Sequence, residues 1–150
     1  MGVERLRAFL RRHRRIALDT SIFIYHLQPN RKYLTHTNVI FAWLEEPESR
    51  ATTSTITMTE LLVVPYRDGQ EQWADDFYGL LSTYPNLDWI APNLEIADVA
   101  ARIRALHRLR TPDAMLAATA IHAQATGLIT NDAVFKRVPD FRTLVLDEFL

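Results

Sequence analysis

Cysteine is absent from the 150-residue sequence, which excludes disulfides, thiolate metal sites and a cysteine nucleophile. Glycine is scarce, with four residues and no two close together, so no Gly-rich loop is available to cradle phosphates. No serine stands in the Gly-x-Ser-x-Gly elbow of a serine hydrolase. An excess of charge of one sign is also lacking. Seventeen basic and 18 acidic residues leave a net charge of −1, and the whole-molecule balance makes no case for nucleic-acid binding. No apolar run approaches the roughly 18 residues of a membrane span, and the N-terminus lacks an apolar core followed by a small-residue cleavage site. A cytoplasmic protein without membrane association is the expectation. The histidines, His13, His26, His36, His107 and His122, are scattered, without the paired spacing around a glutamate that marks a zinc helix.

What is present suffices for one domain. Hydrophobic residues make up 48% of the chain and aromatics 10%, enough to bury a core at this length. After an arginine-rich start, short strand-like runs alternate with longer helical patterns, the mark of repeated βαβ units. Strands are expected at Ile16–Asp19, Arg50–Ser54, Leu87–Ile90, Gly127–Thr130 and Thr143–Leu146. Helices are expected at Ser21–Leu27, Tyr33–Glu45, Thr55–Tyr66, Gln70–Thr83, Leu94–His107 and Pro112–Thr126. Within the fourth of these, Trp73, Phe77, Leu80 and Leu81 are spaced as a core-facing stripe; Ile96, Val99, Ile103 and Leu106 repeat the pattern in the fifth. Turn signals in QPNRK, EEPESR, RDGQ, YPNL, APN and RVPD fall between the elements. The fold class expected is a single three-layer α/β domain with right-handed crossovers.

Residues 1–15 form a basic N-terminal helix in this reading, and residues 16–150 the α/β domain. Arg5, Arg7, Arg11, Arg12, Arg14 and Arg15 face a single acid, Glu4, while Val3, Leu6, Phe9 and Leu10 make an apolar stripe. Two roles stand for this helix: a solvated element docked by its stripe, or a contact for RNA or a partner.

Four acids carry the chemistry. Asp19, Asp113 and Asp132 stand in the segments IALDTS, LRTPDA and LITNDA, directly after short apolar or β-prone runs. In a parallel sheet the C-terminal ends of the strands share one edge, so acids there converge. Each has a local explanation as well. Asp113 follows Thr111 and Pro112 into the first turn of a helix, and Asp132 and Asp19 can each begin one. Glu60, among Ile56, Met58, Leu61, Leu62, Val63 and Val64, is harder to assign to a cap. Jointly the four suit a hard divalent cation, Mg²⁺ or Mn²⁺, because carboxylates gathered together oppose folding unless neutralised. A metal-dependent hydrolase is the candidate activity.

The segments LDTSIFIYHL, TMTELLVVPYRDG, RTPDAMLAATA and LITNDAVFKRVP, in this order and spacing, resemble the PIN domain family, and within it the VapC-type toxin ribonucleases. The resemblance runs from about Ile16 to Leu146. It implies a five-stranded parallel sheet of order 3-2-1-4-5 between helices, and a Mg²⁺ or Mn²⁺ site formed by Asp19, Glu60, Asp113 and Asp132. It also implies RNA as substrate, a VapB-like antitoxin as partner, and a homodimer formed through exposed apolar residues around Tyr33–Leu44 and Met58–Val64. The arginine-rich segment before the first strand is additional to the family pattern.

Smaller groups complete the candidate site. Thr20, Ser21 and Asn131 neighbour the acids and can orient a carboxylate or a water; Thr20 and Ser21 can equally cap the next helix. Arg108 and Arg110, preceded by Arg102 and Arg104, lead into Asp113, while Lys136 and Arg137 follow Asp132. These are candidates for substrate phosphate, or else exposed helix-face charges. The leading function is endoribonucleolytic hydrolysis leaving 5′-phosphate and 3′-hydroxyl ends, as the toxin of a toxin–antitoxin pair. Against it stand a catalytically idle PIN module that binds RNA or protein, and a PIN nuclease acting on DNA or in RNA maturation without an antitoxin.

Overall fold

Short β-prone runs bounded by turn residues become strands, and the longer 3.6-periodic segments between them become the crossover helices. The computed structural model describes residues 2–28 and 30–150. Helix α1 (Gly2–Arg12) leads into β1 (Arg15–Leu18), which is followed by α2 (Thr20–Leu27), α3 (Leu34–Leu44) and β2 (Arg50–Ser54). Next come α4 (Thr55–Arg67), α5 (Glu71–Ser82), β3 (Leu87–Ile90), α6 (Leu94–His107), α7 (Thr111–His122) and β4 (Gly127–Thr130). The chain closes with a 3-10 turn η1 (Ala133–Arg137), β5 (Arg142–Val145) and a second 3-10 turn η2 (Leu146–Phe149).

All strand pairs are parallel, in the order β3-β2-β1-β4-β5, as the resemblance implies. β1 lies at the centre, with Ala17 opposite Thr52 on one side and Leu128 on the other. Its side chains alternate between two cores. Ile16 and Leu18 join Leu6, Leu10, Phe23, Ile40 and Phe41 under α1, α2 and α3, whereas Ala17 joins Ile96, Ile103 and Phe135 under α6 and α7. On α7, Ala114, Ala117, Ala118 and Ala120 are fully buried, and their small size lets the helix lie close on β1 and β2.

Caps set the helix starts. Ser54 Oγ accepts from Ile56 N at 3.2 Å, and Asn93 Oδ1 from Ile96 N at 2.9 Å. α6 ends at Arg108 in the left-handed region, φ 59°. The α1 stripe docks as its spacing predicts, with Leu6 and Leu10 buried against α3. At the start of β4 a Cβ on Gly127 would lie 2.8 Å from the Phe9 ring, so glycine there is what lets α1 reach the sheet.

Three packing expectations are corrected. In α5 the buried residues are Ala74 and Leu81, while Trp73 is 50% and Leu80 51% exposed. α5 packs chiefly on α4, and its contact line runs through the small Ala74 rather than the bulky residues beside it. In α6, Leu106 is 75% exposed, because the buried line runs through Ile96, Ala100 and Ile103, on a helix packed chiefly against α7. The apolar residues of α3, Ile40, Phe41, Trp43 and Leu44, are buried within the protomer, pressed against α1 and α2. α3 therefore offers little apolar surface to a second copy. The short turn η2 takes up Leu146, expected as the last residue of β5, and three residues for which the sequence indicates no element.

Candidate functional site

The chain leaves β1 toward β2 on one side, whereas β4 flanks β1 on the other. Their diverging crossovers open a crevice at the C-terminal ends of these two strands, the usual ligand position in open α/β sheets. Asp19 follows β1 and N-caps α2; Asp132 follows β4 and N-caps η1. Asp113 lies in the first turn of α7 and Glu60 in the second turn of α4. Asp19 and Asp132 are thus caps that also share one sheet edge, whereas Asp113 and Glu60 cap no helix.

A layer of hydroxyls ties three of them, Asp19, Glu60 and Asp132, together. Thr130 Oγ1 donates to Asp19 Oδ2 at 2.7 Å and accepts from Asp132 N at 3.0 Å. Thr20 N donates to Asp19 Oδ1 at 2.7 Å, and the Thr20 hydroxyl donates to Glu60 Oε1 at 2.8 Å. Thr57, buried beneath, lies 3.3 Å from the Thr20 oxygen and 2.9 Å from that of Thr53, which also contacts Leu18 O at 2.9 Å. Both oxygens of Asp19 are therefore oriented, and Asp19 N is anchored on Ile129 O at 3.1 Å. Of the smaller predicted groups, Thr20 makes these bonds and Ser21 Oγ stands 3.5 Å from Asp19 Oδ2. Asn131 turns elsewhere. Its amide donates to the hydroxyls of the stacked pair Tyr25 and Tyr33, and its carbonyl accepts from Asp147 N. It ties the loop that carries Asp132 to α2 and the C-terminal turn without bonding any of the four acids.

Thr130, Thr53 and Thr57 are absent from the sequence reading. A threonine in a strand is explained by β propensity alone; the only signal was its place as the last strand residue before Asn131 and Asp132.

The electrostatics match the geometry. Burial pushes the Asp19 carboxyl above its ordinary value, the Thr130 hydroxyl and Thr20 N–H pull it back, and the charges of Asp113 and Glu60 raise it further. Burial likewise raises Asp113, with Arg110 opposing and Asp132 adding to the rise. Repulsion thus links Asp19 to Glu60 and Asp113, and Asp113 to Asp132. Among the described residues, however, no three acidic or imidazole side chains close into a cage around an ion. The donors are all hard oxygens on an open patch, which suits a cation that keeps several waters, as Mg²⁺ does.

These shifts predict a pH dependence for the metal-free protein. A carboxyl whose folded pKa exceeds its unfolded value holds more protons in the folded state between those two values, so stability falls as pH rises through that window. The penalty is complete once the pH exceeds the folded value. In EDTA, Asp19→Asn is expected to melt above the wild type at pH 7.5, and the gap should shrink as pH is lowered toward 4.5. A gap that widens on acidification would contradict the sign.

The predicted cations are placed unequally. The Arg110 guanidinium stands 3.5 Å from Asp113 Oδ2 and is 81% exposed. Arg137 donates to the carbonyl oxygens of His107 and Arg108, and Arg108 closes the end of α6. Lys136 Nζ is paired with Glu148 at 2.6 Å and 2.9 Å. Of these four, Arg110 alone forms an ion pair with one of the four acids among the described residues.

The sequence profile of the PIN domain family matches residues 16–140. No curated protein shows significant sequence similarity to the chain. Among solved structures, a toxin–antitoxin complex from Klebsiella pneumoniae is 24% identical with a TM-score of 0.64, over 87% of this chain and 97% of that one. VapBC2 from Rickettsia felis, bound to a DNA fragment from its promoter, is 21% identical with a TM-score of 0.65, over 87% and 97%. VapBC-1 from nontypeable Haemophilus influenzae is 22% identical with a TM-score of 0.65, over 89% and 98%. At these identities the likeness is one of fold, while the profile match covers most of the length, a stretch of this chain within which all four acids lie. The chain belongs to the PIN domain family.

Proposed function

We propose that the protein is a Mg²⁺- or Mn²⁺-dependent endoribonuclease, the toxin of a VapBC-type pair, acting in the cytoplasm. The observation that carries this reading is the oriented Asp19 carboxylate at the β1/β4 crevice, sharing its field with Glu60 and Asp113, the latter in turn facing Asp132. Asp19, Asp113 and Asp132 would hold the cation, with Glu60 completing the shell. The ion supplies the Lewis acidity that makes water a nucleophile at neutral pH and offsets the charge of a phosphodiester. Thr130 fixes the Asp19 rotamer and the Asp132 backbone together, so the two carboxylates keep their separation as substrate enters. Thr20 does the same for Asp19 and Glu60. Arg110 offsets part of the charge on Asp113 and offers its exposed guanidinium to a phosphate oxygen.

A VapB-like antitoxin fits as a partner because toxin–antitoxin assemblies recur among the structural neighbours. A homodimer is supported by Val63 and Tyr66 on α4 and Trp73 and Leu80 on α5, all about half exposed on two helices packed together.

The purified protein is expected to cleave single-stranded RNA with Mg²⁺ or Mn²⁺, to stop on addition of EDTA, and to leave 5′-phosphate ends ligatable without kinase treatment. Cleavage persisting in EDTA, or ends carrying 2′,3′-cyclic phosphate, would overturn the reading.

A further inference from the structure

A wide cleft has none of the four acids in its lining. An open groove of about 910 Å³ runs between α1 on one side and η1 with the edge strand β5 on the other. Arg5, Arg12 and His13 line it from the α1 side, Lys136 and Arg142 from the other, and Glu148 is its one acid. In a chain of net charge −1 this concentration is local.

Its charges are poorly balanced. Glu148 is taken by Lys136 at 2.6 Å. Arg5 spends one donor on the Glu148 carbonyl oxygen and lies over the Phe149 ring at 4.3 Å. Arg12 and Arg142 form no ion pair among the described residues. Both are close enough to His13 to oppose its protonation, after burial, and its Nδ1 is occupied by Thr126 Oγ1 at 2.9 Å. Facing cations without a counter-ion disfavour the fold, and an anion between them would relieve the repulsion.

Shape selects the kind of anion. Arg5 and Arg12 stand seven residues apart on one helix face, about 10 Å along the axis, so the cations line a track rather than a single point. That distance spans roughly three nucleotides of a helical strand at about 3.4 Å each. The track also leads to the acids, since η1 carries Lys136 and begins at the Asp132 cap, about 8 Å away at the 2 Å rise of a 3-10 turn.

We propose that the groove formed by Arg5, Arg12, Lys136 and Arg142 is an RNA-backbone site separate from the acidic centre, holding the strand that flanks the bond cut there. This rests on the hydrolase reading above for the identity of the polyanion. The acidic centre itself repels phosphate, and the groove supplies the attraction it lacks. The family match begins at residue 16, so the α1 half of the groove belongs to the segment outside it.

The test is fluorescence anisotropy with a fluorescein-labelled 20-nucleotide single-stranded RNA and the full chain in EDTA, where no cleavage is expected. Arg12→Glu with Arg142→Glu should weaken binding at least roughly tenfold and flatten the log Kd against log salt slope by about 1.4, two phosphate contacts at about 0.7 each. Arg50→Glu with Arg67→Glu, an equal change in net charge at exposed positions outside the groove, should leave affinity within about twofold. If circular dichroism shows that the groove reversal does not fold, Arg12→Gln with Arg142→Gln replaces it, with a smaller loss and the same flattening. Unchanged affinity in the groove variant, an equal loss in the comparison variant, or a polyglutamate peptide binding as tightly as RNA would each overturn the proposal. Binding that depends on the groove without any cleavage in Mg²⁺ supports the groove and removes the hydrolase reading. Cleavage with groove-independent binding does the reverse.

Discussion

Asp19→Asn is expected to leave a folded protein whose RNA hydrolysis falls by on the order of 10³-fold or more. A catalytic cation contributes several kcal/mol of charge stabilisation, and each 1.36 kcal/mol is about tenfold in rate. In the proposed function, Asp19 is the acid through which that contribution would be organised. Its two oxygens receive Thr130 and Thr20 N at 2.7 Å each, and it is the one whose field contains both Glu60 and Asp113. The amide retains an acceptor for Thr20 N and presents a donor to the Thr130 hydroxyl, which can turn to accept it, so the loop has no reason to rearrange. What is lost is the charge. RNA cleavage in Mg²⁺ and a thermal melt on the same sample decide the matter: retention of more than about a tenth of wild-type activity by a normally folded variant would remove Asp19 from the chemistry. In the intact protein, adding Mg²⁺ or Mn²⁺ should raise the melting temperature by linkage, and the variant should respond less.

The site was legible where residue type and position pointed the same way. Asp19 and Asp132 stand just beyond apolar runs that do become adjacent central strands, so their shared edge could be read before any contact was known. Strand limits shift by one residue at β1 and β5, within the fraying of any element end. Hidden from the sequence was the supporting chemistry. Thr130 and Thr57 are buried hydroxyls whose bonds join residues 37 to 111 positions apart, and no local pattern marks such a partner. Face assignment failed for a related reason. The spacing of Trp73, Phe77, Leu80 and Leu81 shows that they are neighbours on α5, but which neighbouring face docks depends on α4, and Ala74 with Leu81 fits it. The cationic groove was illegible for the same cause, since Arg12 and Arg142 meet only because α1 lies along the β4 and β5 end of the sheet at Gly127.

Phe23→Ala tests stability apart from chemistry. Phe23 is fully buried on α2, its ring 5.8 Å from that of Phe41, edge-on, and 5.8 Å from that of Trp89. Removing a buried phenyl costs about 3–5 kcal/mol, a large part of the roughly 5–15 kcal/mol that holds a domain together. At about 2–4 °C per kcal/mol for this chain length, the melting temperature should fall by roughly 6–20 °C. Activity at 20 °C should nevertheless stay within about threefold, because Asp19 is held from β4, through Ile129 O and the Thr130 hydroxyl, as well as by the helix that loses the ring. The two variants therefore separate along opposite axes: Asp19→Asn keeps the fold and loses hydrolysis, while Phe23→Ala loses stability and keeps hydrolysis. If Phe23→Ala is folded at the assay temperature and still inactive, the α2 packing rather than the strand hydrogen bonds sets the carboxylate, and the Thr130 anchor is not what positions Asp19.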